Sequence, residues 1–311
     1  MKGHFMQYSI KEILLAWFTL SRPPFHTVGI LPFILGTFLA YKFNTAISLP
    51  VFFLGVSAVI LIMLSAYHAG EYFDYREDEI SQRLYKSNFA GGSGVMQAGR
   101  LPRSVPFWTS ILSFLAAGII GLLLQFHFHT GPYTLLLGCL GAIPGFFYST
   151  RPIRLVERGL GEIFIGFCYG WLPVASAYYI QTAGIIPVIH CMAIPIGLTI
   201  FNVVFLNEYP DYEADKATGK RNLLNRVGRE RGVFVYITLS MLACLTTLLS
   251  PWWGIPGKVI FFYLPFLVMS LFIAFMMLRG KYENRKMLEI LCGLNIAVNL
   301  GTSLAFILAY I

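Results

Sequence analysis

The chain has 311 residues, 57% of them hydrophobic and only 12% charged, with a net charge of +8. Soluble domains carry about 25% charged residues, so this composition excludes a soluble enzyme and indicates an integral membrane protein. The positive balance comes without an aromatic-interleaved basic motif, so nucleic acid is not an expected partner.

Nine apolar stretches follow in chain order, at 22–41, 49–71, 104–125, 131–149, 160–181, 185–209, 232–250, 257–279 and 287–310. Each is close to the 20 residues or so that carry a helix across a bilayer core of roughly 30 Å, so the fold class is all-α and polytopic. Residues 6–20 read as an amphipathic lead-in helix near the interface, separated from the first span by Ser21-Arg22-Pro23-Pro24. No short apolar core followed by a small-residue cleavage site opens the chain, and no cleaved signal peptide is expected. A single membrane domain over residues 1–311 is the natural organisation.

The connections near 42–48, 126–131, 181–185 and 250–256 are short and nearly uncharged, whereas the others are long and basic. Of 23 Lys and Arg, only Lys42 and Lys258 fall on the short-loop side. The positive-inside rule therefore puts the N-terminus and long loops in the cytoplasm and the C-terminus outside, in a cell inner or cytoplasmic membrane. Five cysteines (Cys139, Cys168, Cys191, Cys244, Cys292) lie singly in apolar stretches and are expected as small core residues, with neither a disulfide framework nor a zinc site. His127 and His129 fall on the outer side, far from the acids, and are not read as a metal site.

All fifteen Asp and Glu sit in or beside cytoplasmic ends, and two groups of them resist reading as solvated charge. The first is Glu71, Asp74 and Asp78; the second is Asn207, Asp211 and Asp215 in "FLNEYPDYEADKATGKRNL". In each the aspartates are four apart, so on a helix they share a face. The same interval separates 74 from 211 and 78 from 215, with four crossings between, which suggests a parallel pseudo-repeat of four-helix units. Two carboxylates about 6 Å apart repel by roughly 3 kcal/mol at an effective dielectric near 20, so something positive must bind there. Oxygen ligands without His or Cys favour a hard cation, and magnesium takes one or two carboxylates plus waters and phosphates. Arg22, Arg151, Arg154, Lys216, Lys220 and Arg221 stand near enough in sequence to grip the same anion, which makes this a candidate diphosphate site.

These motifs, together with "RPPFHTVGILPFILGTFLAY", "YSTRPIRL" and "RGLGEIFIGF", resemble the UbiA superfamily of intramembrane prenyltransferases along essentially the whole chain. The resemblance implies about nine helices around a central cavity open to the cytoplasmic side, with Mg2+ held by both aspartate motifs. It implies transfer of a polyprenyl group from its diphosphate to an aromatic acceptor. By motif match, Asp74 and Asp78 are first-motif ligands, and Asn207, Asp211 and Asp215 second-motif ligands. Tyr67, Tyr72, Phe73, Tyr148 and Tyr212 are expected near the cavity mouth, where ring faces stabilise an allylic cation. The glycine-rich "NFAGGSGVMQAGRL" (88–101) resembles the loop of the menaquinone-type branch, whose acceptor is 1,4-dihydroxy-2-naphthoate. One departure stands out: Gly70 and Glu71 occupy positions where the first motif usually has Asn and often Asp, and Glu71 is expected to compensate as a ligand. A transporter or channel with a cytoplasmic acidic site is the competing class, but it calls for charge along a pore, and the outward halves of the spans hold almost none. Among prenyltransferases, 4-hydroxybenzoate, heme or another lipid acceptor remain open.

Overall fold

The structure, a computed structural model, describes residues 9–44 and 46–311, and among these there are helices and turns but no strand. The α-helices are α1 (Ile10–Ser21), α2 (Thr27–Asn44), α3 (Leu49–Phe73), α4 (Tyr75–Leu84), α5 (Ser104–Leu122), α6 (Thr134–Phe146), α7 (Gly161–Gly166), α8 (Leu172–Thr182), α9 (Pro187–Thr218), α10 (Leu223–Val227), α11 (Arg229–Leu249), α12 (Lys258–Leu278) and α13 (Arg285–Ala309). An apolar helix stands in each of the nine expected places. Among the described residues, eight helical stretches are long and apolar enough to cross a membrane. The fourth place holds only α6, whose 13 residues reach about 20 Å at 1.5 Å per residue. Gly131 and Pro132 delay its start, and Pro144 removes a backbone donor near its end.

The expected lead-in is α1. A reciprocal cap between Ser9 and Glu12 starts it, and it exposes Ile10, Leu14 and Phe18 while burying Ala16 and Leu20. Residues 6–8 of the expected lead-in, and residue 45 in the first short connection, lie outside the described residues. α1 stops at Arg22, whose φ of 49° is left-handed, and a 3-10 turn over Pro23–His26 redirects the chain into α2. The left-handed backbone costs a non-glycine residue about 1 kcal/mol, and here it aims the arginine inward.

The bundle closes on itself: α2 packs against both α8 and the last helix, α13, while α9 packs against α11 and α13. Apolar burial gives helices little reason to associate in lipid, so close backbone approach and polar contacts carry the packing. Where α7 crosses α9, a Cβ on Gly197 would stand 2.9 Å from the Gly166 carbonyl oxygen, so only glycine permits this approach. The middle of α9 is tied to its neighbours by buried amides. Asn295 donates to the Asn202 carbonyl at 2.8 Å, Tyr236 donates to Asn295 at 2.9 Å, and Asn299 donates to Thr199 at 2.9 Å. Such bonds are worth about 0.6 kcal/mol each, and together they set the rotation of the helix that carries the second aspartate motif. The far half of the bundle is filled by Leu35, Val174, Met192 and Phe306.

The cysteines only partly meet expectation. All five are free; Cys244 and Cys292 are buried, Cys168 and Cys191 half-buried, and Cys139 exposed. Cys139 lies on a side of α6 where Leu136 and Leu140 are exposed as well.

Candidate active site

The first motif does not lie on one continuous helix, as its spacing had suggested. Asp74 (φ −93°, ψ 16°) ends α3, and α4 begins afresh at Tyr75. The Asp78 N–H still donates to the Asp74 carbonyl at 2.9 Å, so the two stay one turn apart while their carboxylates find different partners. Asp74 accepts from the Ser149 hydroxyl and from Arg154, each at 2.6 Å. Asp78 lies directly beneath Gly92, where any Cβ would overlap its carboxylate.

The second motif sits on α9, unbroken despite Pro210. Asp211 accepts from the Ser81 hydroxyl and, at 2.6 Å, from the Gly91 N–H of the glycine-rich loop. Asp215 accepts from Asn222 at 2.8 Å and pairs with Lys220 at 3.3 Å. Among the described residues, the Asn207 side-chain oxygen is buried with no partner. A cavity of about 280 Å³ brings Asp74, Asp78, Asn207, Asp211 and Asp215 together with Arg22 and Lys220.

Three groups at the cavity's edge show its electrostatics. Burial pushes the Asp78 carboxyl well above the usual range, the nearby charges of Glu71 and Asp74 add to the rise, and Arg22 opposes it. Burial also raises Asp74, against the pull of Lys220, Ser149 and Arg154. Burial alone would lower Lys220, but Asp215, Asp74 and Asp211 outweigh it and hold the ammonium well above its ordinary value. Carboxylates held this way favour positive charge among them.

Among the described residues, no three His, Cys, Asp or Glu side chains converge closely enough to hold a metal unaided. The donors are oxygens only, one of them an orphaned amide oxygen. That set fits a hard cation such as magnesium, which keeps waters and takes phosphate oxygens to complete its shell.

Residues 30–299 match the UbiA prenyltransferase family. The chain belongs to the UbiA prenyltransferase family. The family expected from the sequence therefore stands. Its similarity to a 1,4-dihydroxy-2-naphthoate octaprenyltransferase of Bacillus subtilis is 25% identity over 215 residues, covering 69% of this chain and 66% of that protein, just under two thirds of its length. A 2-carboxy-1,4-naphthoquinone phytyltransferase of Synechocystis is 27% identical over 230 residues, 73% of this chain and 70% of that protein. The fold is shared with a UbiA homolog from Archaeoglobus fulgidus solved with DMAPP and Mg2+, at a TM-score of 0.62 and 15% identity over 94% of this chain and 98% of that one.

Of the cations expected at this UbiA site, Arg22 and Lys220 line the cavity. Arg154, also left-handed (φ 42°), stands behind Asp74, and its guanidinium is engaged by Asp74, Glu77 and Glu157. Arg151, Lys216 and Arg221 are exposed and outside the cavity, contrary to expectation. Lys216 follows Asp215 by one residue, about 100° around the helix, which turns it away from the carboxylates. Glu71 lines the cavity as well. Its oxygens accept from Arg22 at 2.9 Å, from the Ser93 N–H at 2.7 Å and from the Ser93 hydroxyl at 2.9 Å, so it ties the loop to the first span.

Tyr67 and Tyr148 line the cavity as expected. Tyr72, Phe73 and Tyr212 do not. Tyr72 packs on Phe73 and Phe107 with the Arg103 guanidinium 5.1 Å from its ring centre, and Tyr212 lies under Arg229. They occur close to the motifs in sequence but on helix faces turned toward other elements. Sequence reasoning missed Tyr169, a lining residue, and Ser81, Ser149 and Asn222, which hold the aspartates. It also assigned no role to Glu162 and Glu208, both buried, which accept from the Leu223 and Leu224 N–H groups and so cap α10. A signal for these two existed: a carboxylate set within an apolar run is costly unless it has a partner.

Proposed function

We propose that the protein is a Mg2+-dependent polyprenyltransferase that moves a polyprenyl group from its diphosphate to 1,4-dihydroxy-2-naphthoate, a quinone precursor. The observation that carries this is the convergence of six oxygen-bearing side chains, Glu71, Asp74, Asp78, Asn207, Asp211 and Asp215, from two distant motifs in one cavity, with Arg22 and Lys220 beside them. The naphthoate acceptor is supported by the names of the Bacillus and Synechocystis relatives, and the metal and donor by the ligands of the Archaeoglobus homolog.

In this reading Asp74, Asp78, Asn207, Asp211 and Asp215 hold magnesium. When bound, the metal supplies positive charge against the departing diphosphate. Lys220 and Arg22 grip the same diphosphate, and Arg154 and Ser149 fix the orientation of Asp74. As the allylic C–O bond breaks, the diphosphate leaves with the bonding electrons, and the ring faces of Tyr67, Tyr148 and Tyr169 stabilise positive charge on the prenyl carbon until the electron-rich acceptor ring bonds to it and the attacked ring carbon sheds its proton, or its carboxyl group as carbon dioxide. The glycine-rich loop, held by Glu71 and Asp211, covers the cavity and keeps water from competing with the acceptor. The long basic loops and the acidic cavity face the cytoplasm, with the N-terminus inside and the C-terminus outside.

The test is transfer by purified protein in lipid, given a polyprenyl diphosphate, Mg2+ and either dihydroxynaphthoate or 4-hydroxybenzoate, with products identified by mass spectrometry. A prenylated naphthoate-derived product at more than tenfold the rate of a prenylated benzoate is expected. The reverse preference moves the assignment to a benzoate acceptor, and transfer unaffected by excess chelator overturns the role of the metal.

A further inference from the structure

Ser21, His26 and His68 are buried together at the end of α1, and none of the three lines the acidic cavity. Ser21 is the last residue of α1, so its carbonyl has no partner within the helix. His26 supplies one: its Nε2 stands 3.0 Å from that oxygen and, facing an acceptor, carries the proton. The Ser21 hydroxyl lies 2.8 Å from the Trp17 carbonyl and 3.0 Å from His68 Nε2. A carbonyl only accepts, so the one hydroxyl proton goes to Trp17, and the His68 Nε2–H donates to the Ser21 oxygen. Among the described residues, Nδ1 of both rings is buried without a partner. A second proton there would have nothing to bond, so each imidazole is a neutral ring with a single donor. Leaving a polar atom buried and unpaired is costly, so two such rings at one turn point to a positional task.

The next residue is Arg22, which does line the cavity. His68 and Glu71 are three apart on α3 and so share a face. Ser21 and Arg22 are adjacent in sequence and on a continuous helix would diverge by about 100°. The left-handed Arg22 ends α1 so that both meet the same face of α3: His68 holds Ser21, and Glu71 accepts from Arg22 at 2.9 Å. Glu71 therefore holds the guanidinium by its head, and His68 holds the backbone from which that side chain springs. The Trp17 ring packs beside the contact, its centre 5.8 Å from that of His68.

Resting on the prenyl-transfer reading above, in which Arg22 grips the donor diphosphate, we propose that His68 is a positioning residue: through Ser21 it fixes the turn that aims the Arg22 guanidinium into the cavity, and so sets how tightly the diphosphate is held without touching it. His26 braces the same turn through the Ser21 carbonyl. A glutamine at position 68 carries an uncharged N–H donor at about the reach of Nε2 and can stand in for the histidine, whereas leucine fills the space without a donor.

The experiment uses the full chain in lipid and compares wild type, His68→Leu, His68→Gln, Ser21→Ala and Arg22→Met, with His68→Leu and Ser21→Ala also placed in the Arg22→Met background. Binding of inorganic diphosphate with Mg2+ is titrated by calorimetry, so that neither acceptor nor prenyl tail is involved. His68→Leu should weaken it about tenfold, the worth of one charge-assisted contact, Ser21→Ala should act in the same direction, and His68→Gln should stay within about twofold of wild type. Arg22→Met weakens binding by itself, and neither change should add to it there, because a residue that acts only through Arg22 is silent once the guanidinium is gone. In transfer assays the same losses should appear in KM for the prenyl diphosphate more than in kcat.

A second readout needs no ligand. Arg22→Met lowers the midpoint of thermal unfolding by stranding Glu71, and in the His68→Leu background that drop should be at most about half as large, since the pair is already loosened. Unchanged diphosphate affinity in both His68→Leu and Ser21→Ala, equal losses with and without Arg22, or a glutamine variant as weak as the leucine one would overturn the proposal. A wild type that binds no diphosphate while the thermal coupling persists would overturn the prenyl-transfer reading and leave His68 as the anchor of the Arg22 turn.

Discussion

The Gly91 N–H donates to Asp211 at 2.6 Å, which fastens the loop following the first aspartate motif onto the second motif, 120 positions away. The same loop reaches Glu71 through Ser93, and Arg22 donates to the Gly91 carbonyl. The loop therefore links Glu71, Arg22 and Asp211, three of the groups that surround the cavity. Gly91 also has a φ of 70°, so Gly91→Ala should cost about 1 kcal/mol of stability from backbone strain. Because its Cβ would approach Ser81, the larger effect should be on kcat, with the midpoint of thermal unfolding little changed; a variant with wild-type kcat would contradict the loop's role as a cover.

The Arg22–Glu71 pair spans 2.9 Å with the carboxylate almost wholly buried and the arginine a quarter exposed. Arg22→Met leaves the Glu71 charge unpaired and should destabilise the protein by about 3 kcal/mol, at the low end for buried pairs because water still reaches the guanidinium. Adding Glu71→Gln to Arg22→Met should restore most of that stability without restoring activity. Thermal denaturation and initial rates on the two variants separate these outcomes, and a double variant no more stable than the single would count against the pair.

The aspartates are expected to act through bound metal. Asp74→Asn, Asp78→Asn, Asp211→Asn and Asp215→Asn should each lower kcat/KM about 100-fold or more, with insertion and thermal stability retained. Chelator should abolish wild-type activity and added Mg2+ restore it. Near-normal rates in any two of the four would remove the aspartates from the chemistry.

Lys220 lies 3.3 Å from Asp215 and lines the cavity, whereas Lys216 is exposed. Lys220→Met should raise the KM for the prenyl diphosphate about tenfold or more, Lys220→Arg should recover part of the loss, and Lys216→Met should change little. Equal effects at 216 and 220 would mean that general loop charge, and not a directed contact, binds the donor.

The orientation of the chain can be read by thiol labelling of intact cells, against the background of the native cysteines. Trp252→Cys, at the end of the bundle poor in charge, should label from outside; Lys86→Cys and Thr218→Cys should label only after permeabilisation. Outside labelling at 86 or 218 would invert the topology.

Much of the fold was legible in the chain because lipid imposes simple demands. A spanning segment must satisfy its own backbone and hide its charges, so apolar runs alone marked nine places where apolar helices stand among the described residues, eight of them long enough to span, and Arg22-Pro23-Pro24 marked where the lead-in turns into the first span. Charge set among such segments is costly enough to betray a site, and for that reason both aspartate clusters could be found without coordinates.

Tertiary structure decided what those residues touch. Periodicity placed Asp74 and Asp78 on one helical face, but a break at Asp74 sends one carboxylate to Ser149 and Arg154 and leaves the other beneath Gly92. Six basic residues lay near the motifs in sequence; only the rotation of each around its helix or turn admitted Arg22 and Lys220 and turned Arg151, Lys216 and Arg221 outward. Glu71, which the motif spacing offered as a ligand, is claimed by an arginine 49 positions earlier and a serine 22 positions later. Apolar pattern is a one-dimensional property that the solvent reads segment by segment. Hydrogen-bond partners and cavity walls depend on which faces of several helices meet, and that is settled only when the bundle closes.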